Sequence, residues 1–278
     1  MTALQQPLAL ANDSGIATVY QQGAHVASWT PARQDPVLFL SRQAHFVEGK
    51  AIRGGVPICF PWFGPGRHGD RTPAHGYART TPWYLDSSDD AVAVFSLSQD
   101  DFSQEARAAF PHAFACRYTV TVGAELKLEL ATTNTGDQPL EIEEALHTYL
   151  AVGDIRSVTV EGLDGVDYVD KVSGEDTVTQ DGAVTFTGET DRVYRSGETL
   201  TVLDPLLGRK LHITMEGAAN TVVWNPWTEK ARAMGDFADE EWTQMLCVEG
   251  ANALNDYVTV APGDTHRISY KIAVESLE

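Results

Sequence analysis

Apolar and polar residues alternate along most of this chain. The alternation is regular over Ile16-Ala17-Thr18-Val19-Tyr20, at 92–97, at 118–122 and at 126–130, and it returns at 157–160, 184–187, 211–215, 257–260 and 267–274. A period of two sends successive side chains to opposite faces, so each run predicts a strand with one buried face. Gln22-Gly23, Asp181-Gly182, Leu207-Gly208-Arg209 and Pro262-Gly263-Asp264 separate the runs at hairpin-like intervals. Helical signals are few. The clearest is 101–110, where Asp101 is placed to cap and Gln104 follows three residues later. With no linker, low-complexity block or fixed-period repeat, the pattern predicts an all-β chain. The expectation is one large twisted antiparallel sandwich with few short helices, spanning 1–278 as a single domain.

Composition narrows the function. Hydrophobic content of 43%, aromatic content of 9% and charged content of 21% suit a folded core. Asp and Glu number 39 against 20 Lys and Arg, a formal charge of -19 that repels nucleic acid and anionic membrane surfaces, so neither is an expected partner. The same charge makes clustered arginines informative, because an anionic ligand needs a local positive pocket working against the overall field. Three separated cysteines with no C-x-x-C spacing point to a reducing, cytoplasmic setting. The opening MTALQQPLALANDSG has no basic n-region, and no run of about 18 apolar residues occurs, which reads as neither secreted nor membrane-spanning.

Four segments interrupt the strand rhythm. IRGGVPICFPWFGP at 52–65 sets a single charge, Arg53, in a stretch stiffened by Gly and Pro; either a loop over the core or a ligand-facing loop fits. Its glycine pair would let backbone approach a ligand. In Pro73-Ala74-His75-Gly76-Tyr77-Ala78-Arg79, a His and an Arg flank a glycine that would do the same. The segment 143–150 reads as one buried strand with His147 on the face of Ala145 and Tyr149, where a lone His is usually a satisfied core residue. Glu249 ends an apolar strand, and an unpartnered buried carboxylate costs several kcal/mol. His147 and Glu249 could converge across a concave sheet as an acid and base pair. Zinc, serine-triad and nucleotide signatures are missing from the sequence, so no cofactor and no metal are expected.

Together, R-G-G-x-P-x-x-F-P-x-F-G at 53–64, H-G-Y-A-R at 75–79, H-T-Y at 147–149, D-R-V-Y at 191–194, W-N-P-W at 224–227 and V-E-G-A-N at 248–252 resemble the glucose-6-phosphate 1-epimerases. These are hexose-6-phosphate mutarotases within the aldose 1-epimerase superfamily, and the likeness runs in order from about residue 15 to the end. It implies a galactose-mutarotase-like sandwich whose concave face takes a phosphorylated sugar. It further implies that His147 is the general acid at the ring oxygen and Glu249 the general base at the anomeric hydroxyl. Arg53 and Arg79 would grip the 6-phosphate, His75 and Asp191 would contact sugar hydroxyls, and the protein would act as a monomer without a cofactor. Ordinary pKa values of about 6.5 and 4.3 nearly supply a protonated His147 and an ionised Glu249 at neutral pH. Ala74 stands where some relatives carry Gln, and Tyr77 where Phe is commoner, which leaves hexose preference open. Three alternatives stay in view: a mutarotase for unphosphorylated aldoses, a non-catalytic sugar-binding module, and a glycosidase, for which Glu249 lacks an evident carboxylate partner.

Overall fold

A computed structural model describes Leu4 and residues 7–277; the first residues of the opening segment read above lie outside this range. Every named strand pairing is antiparallel. One eight-stranded sheet runs in the order Thr159–Glu161, Leu200–Asp204, Arg209–Glu216, Thr265–Ser276, Glu125–Asn134, Phe114–Val122, Val92–Ser98, Tyr84–Ser88. The other runs Glu175–Thr179, Asp167–Asp170, Thr190–Tyr194, Asn220–Asn225, Met245–Asn252, Glu144–Leu146, Ile58–Cys59, with Tyr149–Ala151 also paired to Met245–Asn252. A three-stranded sheet at Leu8–Asn12, Gly15–Tyr20 and His25–Pro31 flanks them, and Val258–Val260 pairs with Leu140–Ile142.

The two large sheets pack face to face, as a sandwich does. In the first, alternation is nearly ideal: Phe114, Cys116, Tyr118, Val120 and Val122 are buried on one strand, and Leu126, Leu128 and Leu130 on its neighbour. The strand Met245–Asn252 is buried on both faces. One face meets the opposite sheet, where the Tyr270 hydroxyl donates to the Val248 carbonyl at 2.6 Å and a Cβ on Gly250 would meet Met215. Its other face carries Cys247 and Glu249, residues that a half-exposed strand could not shield.

The structure moves several predicted elements. Ile16 lies on the solvent side at 56% exposure, while Ala17 and Val19 take the core. The run at 184–187 makes a bridge from Val184 to Val160 and no named strand, because turns at both ends leave no length for a ladder. The helix is Gln104–Ala109, capped by Ser103, whose hydroxyl accepts the Ala106 amide at 3.1 Å. Asp101 instead folds back onto the Ser98 amide at 2.7 Å, closing the preceding turn. The segment 143–150 is not one strand: Glu144–Leu146 and Tyr149–Ala151 both pair with Met245–Asn252, but the His147 amide leaves the ladder and donates to the Pro57 carbonyl at 3.0 Å.

Gly55 of the 52–65 loop and Gly76 of the 73–79 loop carry a packing task that the sequence reading did not assign. A Cβ on Gly55 (φ 60°) would lie 2.2 Å from the Val26 carbonyl oxygen, and one on Gly76 (φ 70°) would lie 2.1 Å from that of Phe60. They let loops press against neighbouring backbone. Gly55→Ala is therefore expected to lower the unfolding free energy by about 3 kcal/mol or more in urea titration. Gly182→Ala, with a similar φ of 65° but no atom within 4 Å, should lose only about 1 kcal/mol.

Candidate active site

Strand register assembles the site. Leu146 pairs with Gly250 and Tyr149 with Cys247, so His147 comes to lie opposite Glu249 across two strands. On the far side Glu249 pairs with Val222 and Cys247 with Trp224, which in turn pairs with Asp191. Two rows of side chains thus cross one face of the sheet, and four strands supply the floor of a cleft of about 300 Å³. Its rim comes from the 52–65 loop through Arg53 and Phe63, the 73–79 loop through Ala74, His75 and Arg79, and from Lys171 and Lys230. All six residues singled out from the sequence line this cleft: Arg53, His75, Arg79, His147, Asp191 and Glu249.

At its base, His147 Nδ1 and a Glu249 carboxylate oxygen are 3.3 Å apart. Glu249 is 1% exposed and His147 8%. The imidazole lies flat on the Tyr149 ring, centroids 4.8 Å apart and planes at 10°, with Trp224 and His75 edge-on at 6.1 and 5.6 Å. Stacking fixes the ring's plane, and the sheet fixes its height above Glu249.

Burial sets the charge state. Desolvation holds His147 well below the usual imidazole range, and the nearby Arg79 and Arg53 push in the same direction. Desolvation, then the negative charge of Asp191, lifts Glu249 well above the usual carboxylate range. Low dielectric penalises both charges, so burial pushes His147 toward the neutral imidazole and Glu249 toward the protonated carboxyl. These directions oppose the protonated imidazole and free carboxylate expected from ordinary pKa values, because that expectation took no account of burial. Glu143 and Glu144 do not line the cleft and are engaged elsewhere. Glu143 accepts backbone amides of Arg67 and Leu254 at 2.9 Å each, and Glu144 pairs with His266 at 2.9 Å.

Basic side chains dominate the rim. Arg53 is held from two sides, donating through Nε to Asp236 at 3.2 Å and through Nη1 to the Tyr149 hydroxyl at 3.0 Å, which leaves further N–H donors for a ligand. Its charge is secured by Tyr149 and Asp236. Arg79 donates to the Ala74 carbonyl at 2.8 Å. Lys171 and Lys230 approach Asp191 at 3.7 and 3.8 Å, and burial raises the Asp191 pKa against their pull. The two lysines, Tyr149 as a platform and Trp224 as a wall were not assigned from sequence. Tyr149 and Trp224 sit inside noted motifs, whereas Lys171 follows an ordinary strand and carries no local signal.

Among the described residues, His147, Cys247 and Glu249 form the group whose ligand atoms, all within 4.8 Å, could close on a metal ion. Burial drives the Cys247 thiol far above its usual pKa, which opposes the thiolate such a site needs.

Residues 7–273 match the family described as aldose 1-epimerase. A Cenchrus ciliaris protein named "Putative glucose-6-phosphate 1-epimerase" is 38% identical over 263 residues, covering 90% of this chain and 79% of the relative. An Escherichia coli K12 protein of the same name is 40% identical over 238 residues, covering 84% and 78%. The crystal structure of a "putative mutarotase" from Salmonella typhimurium superposes with a TM-score of 0.88 at 34% identity, over 97% of this chain and 90% of that one. The Slr1438 protein of Synechocystis sp. PCC 6803 shares the fold at 24% identity, with a TM-score of 0.81 over 98% and 96%.

Burial also pushes the Cys59 and Cys116 thiols well above their usual range, largely by desolvation. All three cysteines are free and buried. In a thiol-disulfide colour assay at pH 8, the native protein should therefore release almost no signal over minutes. After denaturation it should titrate three thiols.

Proposed function

The chain belongs to the aldose 1-epimerase family, and from that premise we propose that it interconverts the α and β anomers of a hexose 6-phosphate, glucose 6-phosphate first among them. The observation that carries the phosphate is the cleft's charge. Four basic side chains, Arg53, Arg79, Lys171 and Lys230, line it against two carboxyls, in a chain of net charge -19. Burial works against the charge of Glu249, one of those carboxyls, which tilts the local balance further toward positive. A neutral sugar needs no such reversal of the overall field. The names of the relatives at 38% and 40% identity support the same substrate class.

The chemistry requires one acid and one base, which a protonated His147 and an ionised Glu249, 3.3 Å apart, would supply; sugar hydroxyls that donate to Glu249 favour this charged form against the desolvation cost. Glu249 then takes the proton of the anomeric hydroxyl. The O1–H electron pair becomes the second bond of the C1 carbonyl, the C1–O5 bond breaks, and O5 takes the proton from His147. Rotation about C1–C2 turns the other face of the aldehyde to O5, and the reverse transfers close the opposite anomer. No covalent intermediate forms. Asp191 and His75, both on the cleft wall, hold sugar hydroxyls, and Arg53, steadied by Asp236 and Tyr149, meets the phosphate with Arg79. Because Arg53 is ordered before binding, little side-chain freedom is lost when phosphate arrives. The protein acts as a monomer in this proposal, since the cleft is completed within one chain.

Anomer exchange followed by saturation-transfer NMR over hexoses and hexose 6-phosphates tests the proposal. Arg53→Ala and Arg79→Ala should each raise KM for the 6-phosphate by roughly 10- to 100-fold, the range of a charge-assisted hydrogen bond, and barely affect the free sugar. Equal losses on both would remove the phosphate assignment. His147→Ala and Glu249→Gln should each lower kcat by about 100- to 10,000-fold, and a variant with full rate would overturn its residue's role.

The pH profile follows from the shifted pair. His147 is lowered, so it takes a proton only well below pH 6.5; Glu249 is raised, so it releases its proton only well above pH 4.5. In kcat/KM measured with an unphosphorylated hexose, which reports the free enzyme and whose own charge is constant, no acid limb should be centred at about pH 6.5. A half-maximal kcat/KM at about pH 6.5 on the acid side would contradict the lowered His147.

A further inference from the structure

His75 is held at one ring nitrogen by two groups that are both hydrogen donors. The Gly64 amide donates to His75 Nδ1 at 3.2 Å, and the Cys59 sulfur lies 3.2 Å from the same atom. An amide N–H can only donate, so Nδ1 must keep its lone pair, and a protonated Nδ1 would set two N–H groups against each other. Cys59 is fully buried at the end of the strand Ile58–Cys59, and its thiol keeps its proton, so it too acts as a donor. The other ring nitrogen, Nε2, has no hydrogen-bond partner among the described residues and is not sealed from solvent, and the residue lines the cleft. The backbone locks this arrangement. The His75 amide donates to the Gly64 carbonyl at 2.7 Å, and the Phe60 amide to the His75 carbonyl at 3.3 Å. His75 itself sits at φ 67°, a conformation that a β-carbon makes unfavourable and the loop must enforce.

We propose that Cys59 is a positioning residue: with the Gly64 amide it holds His75 as the neutral Nε2–H tautomer, so that a fixed hydrogen-bond donor faces the sugar and no cation stands beside His147. The part that concerns the sugar rests on the mutarotase reading; the tautomer does not. The groups facing His75 make its neutrality matter. Arg53 and Arg79 come from the two loops, Lys171 from beyond Asp167–Asp170, and His147 from the sheet, its ring centroid 5.6 Å away; Glu249 acts on Cys59 from Met245–Asn252. Desolvation and these cations keep His75 well below the usual imidazole range. A charged His75 would oppose the proton that His147 must accept during turnover. A neutral one with Nε2–H donates to a sugar oxygen without that penalty. Phe63, edge-on at 5.0 Å, covers the remaining side of the ring.

The imidazole ¹⁵N signals of ¹⁵N-histidine-labelled protein, assigned by comparison with His75→Gln, test this without substrate. Wild type should show His75 neutral, protonated at Nε2, and not titrating between pH 8 and pH 6. Protonation at Nδ1, or titration near pH 6.5, would overturn the proposal. Cys59→Ala should shift the His75 pKa upward and populate a second ring state, with kcat/KM falling by about 3- to 10-fold at pH 7, the scale of one neutral hydrogen bond, and further at pH 6. Cys59→Ser, which keeps a donor, should recover the wild-type tautomer and pH profile. An unchanged His75 signal and unchanged pH profile in Cys59→Ala would remove Cys59 from the device. If wild type shows the Nε2–H form but no anomer exchange, the lock stands and the mutarotase reading falls.

Discussion

Everything in this cleft depends on a carboxyl group placed in the middle of a strand that is buried on both faces. Glu249 has no solvent to stabilise its charge, and an uncompensated buried carboxylate costs several kcal/mol. The fold meets that cost by shifting its pKa upward and by setting His147 opposite it at 3.3 Å. The same burial disfavours imidazolium, so both groups are pushed toward their neutral forms. A ring-opening reaction needs a proton to be delivered at one oxygen and removed at another. The constraint that stabilises the resting protein also provides both functions.

The pair is tied to the rim through Tyr149. Its ring supports the His147 imidazole, and its hydroxyl accepts from Arg53. The anion-binding arginine and the proton-transferring histidine therefore share one rigid support on one strand. Lys171 and Lys230 reach the same cleft but are engaged only loosely with Asp191, at 3.7 and 3.8 Å. Lys230 is also held by Glu189 at 2.9 Å, so Lys171 is the freer of the two, and with the arginines they give the cleft a sign opposite to that of the chain as a whole. On the opposite wall, the loop holding His75 uses Cys59 and the Gly64 amide to keep one more positive charge out of this crowded region.

Much of the site was legible in the linear sequence because its residues break local rules. Glu249 ends a run of apolar residues, His147 stands in another, and Arg53 is alone in a Gly- and Pro-rich segment. Each is a polar group where pattern alone demands an apolar one, and such conflicts are where function tends to lie. Lys171 and Lys230 broke no rule. A lysine near a turn or on a short helix is ordinary surface chemistry, and only the pairing of Asp167–Asp170 with Thr190–Tyr194 and the placement of Trp227–Ala233 bring these two to the cleft. The packing task of the glycines was hidden for a related reason. Their left-handed backbone was foreseeable, but Val26 and Phe60, the neighbours they make room for, are distant in sequence.

Alternation, turn chemistry and misplaced polar residues determined the all-β class, the positions of most strands and five of the six candidate residues, since each of these is encoded within a few residues of chain; Asp191 came only from the family resemblance. The family match over residues 7–273 agrees with that reading. Register decided the rest. Only the pairing of Leu146 with Gly250 and Tyr149 with Cys247 sets His147 across from Glu249. Only the depth at which that pairing lies pushes both groups toward neutrality, because desolvation is a property of the assembled sheets and has no counterpart in the order of the residues.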